Sequence, residues 1–129
     1  MSVGLVIVTH GQIGRFLVEA AEFILERSLE SIRCVGVAQS GSEMPDEHAM
    51  REVMQAADEG DGVLVLTDLA NASPSNIVEQ QLSHVNARVV SGLNLPMLLR
   101  TWNYRREPLD QLADRAIEGG LRGIGLRGQ

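Results

Sequence analysis

Val3–Thr9, VGLVIVT, is short, rich in β-branched residues and free of polar alternation, and His10-Gly11 follows it directly. A run that is apolar on both faces is a strand covered on both sides, as in a parallel sheet between helical layers. The period then changes. Gln12–Arg27 sets Ile13, Phe16, Leu17, Ala20, Ala21, Ile24 and Leu25 at helical spacing, which predicts a helix with one apolar stripe. Ile32–Ala38 reads as a second strand, Gln39–Met44 as a small polar loop, and Pro45 or Asp46 opens a helix to about Glu59. Gly60-Asp61-Gly62 turns the chain into a third buried strand, Val63–Thr67. Asp68–Pro74 is a loop ahead of a helix from Pro74 to about His84. Ala87–Ser91 reads as a fourth strand, and Leu95–Asn103 and Leu109–Glu118 as two further helices. The glycine-rich Gly119–Gln129, with Leu121, Ile124 and Leu126 interspersed, reads as a short strand or irregular arm. This alternation predicts one α/β domain over residues 1–129, a three-layer αβα arrangement with a mainly parallel four-stranded sheet.

Composition removes several function classes. The 11 basic residues are all arginine, so a lysine nucleophile, a Schiff base and a P-loop lysine are excluded. A net charge of −6, with Arg105–Arg106 the only basic doublet, argues against a nucleic-acid surface. No apolar run reaches the roughly 20 residues of a membrane span, and the N-terminal segment has no basic n-region, so the cytoplasm is the expected compartment. Cys34, the one cysteine, reads as a buried strand thiol. His10, His48 and His84 have no metal-ligand spacing, and neither a metal nor a cofactor is expected. His48 reads as a solvated residue, His84 as a helix-end residue, and Met50 and Met54 as core.

Ligands of such a sheet meet the loops at the carboxyl ends of the strands. His10-Gly11, Ser40–Ser42, Asp68–Ser73 and Asn94 follow the four strands in turn and converge on one rim. Imidazole at His10 is a nucleophile able to carry a phosphoryl group, or else a residue that merely bonds a loop. Asp68 is placed either to fix the imidazole tautomer or to cap a turn. Ser73-Pro74 matches an N-cap followed by proline at the first helical position, and the helix start offers free N–H groups to an anion.

Taken together, Val6–Gly11 (VIVTHG), Val63–Asn76 (VLVLTDLANASPSN) and Ser91–Thr101 (SGLNLPMLLRT) resemble the mannose-family IIA domain of the sugar phosphotransferase system. The three segments stand in register across nearly the whole chain. The resemblance implies that His10 receives a phosphoryl group on Nε2 from phospho-HPr and transfers it to a IIB-type partner. It implies that Asp68 pairs with the other ring nitrogen, and that Ser73 and the following helix start hold the phosphoryl group. Gly11, Asn71, Ala72, Asn76 and Asn94 then border the phosphate or the partner. It also implies a homodimer in which a C-terminal strand, at Leu121–Leu126, is exchanged between subunits. Where the family usually carries Gly-Gly before Ser-Pro, this chain has Asn71-Ala72; Asn tolerates positive φ, and Ala72 fits only with negative φ. Leu69 stands where transporters of the family often have tryptophan. Two other readings keep the same histidine: the phosphotransfer subunit of a phosphoenolpyruvate-dependent dihydroxyacetone kinase, and a regulatory binding module toggled by phosphorylation. A histidine phosphatase is poorly served, because the nearest arginine, Arg15, lies inside the first helix.

Overall fold

Strands and helices alternate along the chain in the computed structural model, which describes residues 2–38 and 45–128. The elements are β1 (Gly4–His10), α1 (Ile13–Leu25), β2 (Arg33–Val37), α2 (Glu47–Ala57), β3 (Val63–Thr67), α3 (Ser73–Glu79), β4 (Ala87–Ser91), α4 (Leu95–Asn103) and α5 (Leu109–Arg122). The polar loop expected at Gln39–Met44, Ser40–Ser42 included, lies outside the described residues.

The four strands are all parallel, in the order β2-β1-β3-β4. Side chains alternate across a strand, so β1 feeds two cores. Leu5 and Ile7 join Leu64, Leu66, Val18, Leu98 and Leu112 on the face under α1, α4 and α5. Val6 and Val8 join Val63, Val65, Met50, Met54 and Val78 on the face under α2 and α3. The change of face has a cause. The chain steps from β1 outward to β2, then reverses through β3 to β4. Right-handed crossovers in opposite directions must use opposite sides of the sheet.

Local chemistry fixes the helix starts. Asp46 accepts the Ala49 N–H at 2.7 Å and Asn94 that of Met97 at 2.9 Å, both as N-caps. α1 has no cap from Gln12; the buried Thr9 hydroxyl on β1 instead accepts the Gly14 N–H at 2.9 Å.

Three expectations change. The α1 stripe is rotated: Gly14, Val18 and Ala21 are buried, while Phe16 is 64% and Phe23 86% exposed. Small residues face the sheet because a Cβ at Gly14 would stand 2.5 Å from Ile7 Cγ2. α3 begins at Ser73 and ends at Glu79, so Ala72 rather than Ser73 is the N-cap, with no side-chain bond; His84 lies exposed in the turns that follow. The last helix does not stop at Glu118. Gly119 and Gly120 are buried inside α5, where added Cβ atoms would come within 2.5 Å of Arg100 Cβ and 2.9 Å of Met97 Cε. They bring α5 against α4. Leu121 and Arg122 are therefore helical, and residues 124–128 are exposed with no strand pairing.

Met50 and Met54 are fully buried, His48 is exposed beside Glu52, and Cys34 is half-buried. Burial pushes the Cys34 thiol above its ordinary value, against the opposing pull of Arg15.

Close packing at Gly119 has a measurable cost. Gly119→Ala gains helix propensity but overpacks the α4 contact, and a net loss of about 1–2 kcal/mol in urea unfolding is expected. A neutral or stabilised variant would contradict the packing described.

Candidate functional site

The order β2-β1-β3-β4 places the topological switch point between β1 and β3. There the connections leave in opposite directions, and the gap between them is where an open α/β sheet binds ligands. His10 is the last residue of β1 and Asp68 the first residue after β3. The β1–β3 pairing ends at Val8 opposite Thr67, so both residues project from the ends of neighbouring strands.

One carboxylate oxygen joins them. Asp68 Oδ2 accepts the His10 backbone N–H at 3.1 Å and lies 2.8 Å from His10 Nδ1. A carboxylate is an acceptor only, so Nδ1 is the donor, and in the neutral ring Nε2 then carries the lone pair. Among the described residues nothing bonds Nε2, and the imidazole is 37% exposed against 12% for the Asp68 side chain. The ring is thus held from the protein side and open from outside. Asp68 Oδ1 is buried with no hydrogen-bond partner among the described residues.

His10 shares the strand parity of Val6 and Val8, which face α2 and α3. Its side therefore matches that of α3, which begins after the Asp68–Ala72 loop. Asn71 adopts φ 59°, the left-handed region, and Ala72 has φ −113° and ψ 170°. Asn71, Ser73 and Asn76 are exposed on this rim. The Asn76 N–H is committed to Ala72 O at 2.9 Å, and the Ser75 hydroxyl donates to the same oxygen at 3.2 Å. The Ser73 and Ser75 N–H groups have no acceptor among the described residues.

Asn94 is half-buried at the start of α4. Its side chain caps α4 and donates to Gly120 O at 3.2 Å, so its work is to tie α4 to α5. Gly11, with φ 48°, donates to Val37 O at 3.1 Å. The sequence reading missed what makes that approach possible: a Cβ at Gly36 would stand 2.3 Å from Gly11 O. The available signal was a lone glycine inside an apolar strand, which marks close backbone approach. Thr9, also missed, anchors the start of α1 next to the site. Among the described residues no three His, Cys, Asp or Glu side chains gather to hold a metal.

A family model described as EIIA-man, PTS system fructose IIA component, matches residues 4–116. No curated protein matches the chain in sequence. Among solved structures, the fold is similar to that of the mannose/sorbose specific IIA subunit of the phosphotransferase system from Enterococcus faecalis. That pair has a TM-score of 0.81 at 22% identity, covering 100% of this chain and 97% of the other. Phosphotransferase system component EIIA from Streptococcus agalactiae gives 0.78 at 26% identity, with 95% of each chain covered. The PTS IIA protein associated with the fucose utilization operon from Streptococcus pneumoniae gives 0.80 at 20%, covering 98% of this chain and 96% of that one.

The His10–Asp68 contact sets a tautomer, and nitrogen NMR reads it. Wild type is expected to hold the Nδ1–H form, and Asp68→Ala to lose that preference. An unchanged ring-nitrogen pattern in the variant would show that Asp68 does not orient the imidazole.

Proposed function

The chain belongs to the EIIA-man family of PTS system IIA components, which are phosphotransfer proteins, and on that footing we propose that His10 is its phosphoryl carrier. The donor is phospho-HPr and the acceptor a IIB-type protein, in sugar uptake or a regulatory branch. The observation that supports this most is the 2.8 Å contact between His10 Nδ1 and Asp68 Oδ2 at the sheet's switch point.

In the forward step the Nε2 lone pair of His10 attacks phosphorus and the donor's nitrogen–phosphorus bond breaks. The donor imidazole leaves with the bonding pair. Nδ1 keeps its hydrogen, and the positive charge on the phosphorylated ring is offset by Asp68. The second transfer runs the same chemistry outward, with the IIB nucleophile attacking and His10 leaving. Little covalent work falls to the protein; positioning and charge stabilisation carry the rate. The exposed Ser73 hydroxyl and the Ser73 and Ser75 N–H groups are assigned to the transferred phosphoryl oxygens, with Gly11, Asn71, Ala72 and Asn76 at the border of the site. Backbone and hydroxyl donors suit a chain that contains no lysine. Asn94, which also caps α4, is assigned to the partner-facing rim.

The working form is a homodimer in the cytoplasm, held by exchange of the C-terminal arm. β4 is an edge strand, Ile124 is 74% and Leu126 95% exposed, and no helix among the described residues is long and apolar enough to cross a membrane. An exposed apolar arm next to an open strand edge supports pairing between copies.

Two experiments follow. Incubation with HPr and the enzyme that charges it is expected to put an acid-labile phosphate on wild type and none on His10→Ala, with Asp68→Ala slowed roughly 100-fold. Equal labelling of His10→Ala would remove His10 as acceptor. Removal of residues 124–129 is expected to turn a dimer into a monomer in sedimentation equilibrium, and an unchanged mass would dismiss arm exchange.

A further inference from the structure

At the end of the sheet opposite His10, the only tryptophan of the chain carries two guanidinium groups on its ring. Arg105 lies 4.0 Å and Arg27 5.2 Å from the Trp102 centroid. Arg105 Nη1 also donates to Trp102 O at 2.9 Å, which fixes its orientation. Arg106 follows directly. Among the described residues none of these three arginines, nor Arg33, has a carboxylate at salt-bridge distance, whereas Arg88, Arg100, Arg115 and Arg122 each have one. Burial, then the charges of Arg27 and Arg106, push the Arg105 guanidinium below its ordinary value. Arg27 and Arg105 each follow a helix C-terminus, where cations are favoured. That explains each one singly and not their convergence. Like charges gathered without a counter-charge are a local conflict, and such conflicts concentrate at functional sites.

Beside the cluster is a cavity of about 100 Å³, between the amino ends of β1 and β2. Arg105, Arg33, Ser2 and Ser31 line it, and Glu59 is the single acid among the described residues of its wall. Arg33 is steadied by Nη2 donating to Ala56 O at 3.3 Å. We propose that this cavity binds a phosphate-sized oxyanion, free or as the terminal group of a small metabolite. The guanidinium groups supply charge-assisted hydrogen bonds, the serines supply neutral ones, and Glu59 holds the affinity down. The site lies at the other end of the sheet from the switch point, so it is independent of phosphoryl carriage at His10.

Trp102 reports on the cavity it lines. Titration with inorganic phosphate at constant ionic strength is expected to give a saturable change in its emission and heat in calorimetry. Arg33→Gln is expected to weaken binding roughly tenfold, Glu59→Gln to tighten it, and His10→Ala to leave it unchanged. Glycerol phosphate, with glycerol as blank, separates the two sources: tighter binding than free phosphate assigns a phosphorylated metabolite, and weaker binding assigns the free ion. Absence of a saturable response by both methods, or equal affinity in wild type, Arg33→Gln and Glu59→Gln, would overturn the site.

Discussion

Asp68 accepts two hydrogen bonds through one oxygen, from the backbone N–H and from ring Nδ1 of His10, and so ties together the ends of the two central strands. Hydrogen bonds to a charged group contribute roughly 1.5–3 kcal/mol net, enough to hold an imidazole against the freedom of a strand end. The buried Oδ1, unpaired among the described residues, offsets part of that gain.

The remainder of the fold serves that contact. Reversal of direction after β2 creates the crevice, and the residues that end β1 and follow β3 are the ones that border it. Thr9 anchors α1 and Gly36 admits the Gly11 turn, so His10 is braced on the β2 side as well as by Asp68. Each brace comes from a different element, which makes the geometry a property of the whole sheet.

The central strands were legible from the sequence because two-sided burial leaves no room for polar alternation: Gly4–His10 and Val63–Thr67 appear where their apolar runs stand, while the edge strand Ala87–Ser91, with Arg88 exposed, was marked by its two valines. The phase of α1 was not legible. Leu17, Val18, Ala20, Ala21, Phe23, Ile24 and Leu25 make a stripe wider than half of the helix, so the period fixes the element and not its exact inward direction. Gly119-Gly120 resembled a helix end, since glycine weakens a helix; only the closeness of α4 makes it necessary there. At the site, the strand-end positions of His10 and Asp68 follow from topology. Asn94 caps α4, and capping and ligand binding ask for the same side chain, so the sequence did not separate the two. Ser73-Pro74 was shifted by one residue, as helix boundaries commonly are.

On the proposed reading, Asp68 pins Nδ1 and leaves Nε2 as the nucleophile. Phosphorus–nitrogen coupling in the phosphorylated, nitrogen-labelled protein tests it most directly. Coupling is expected from phosphorus to Nε2 of His10, with a hydrogen still on Nδ1. Coupling to Nδ1, or to any other residue, would contradict it.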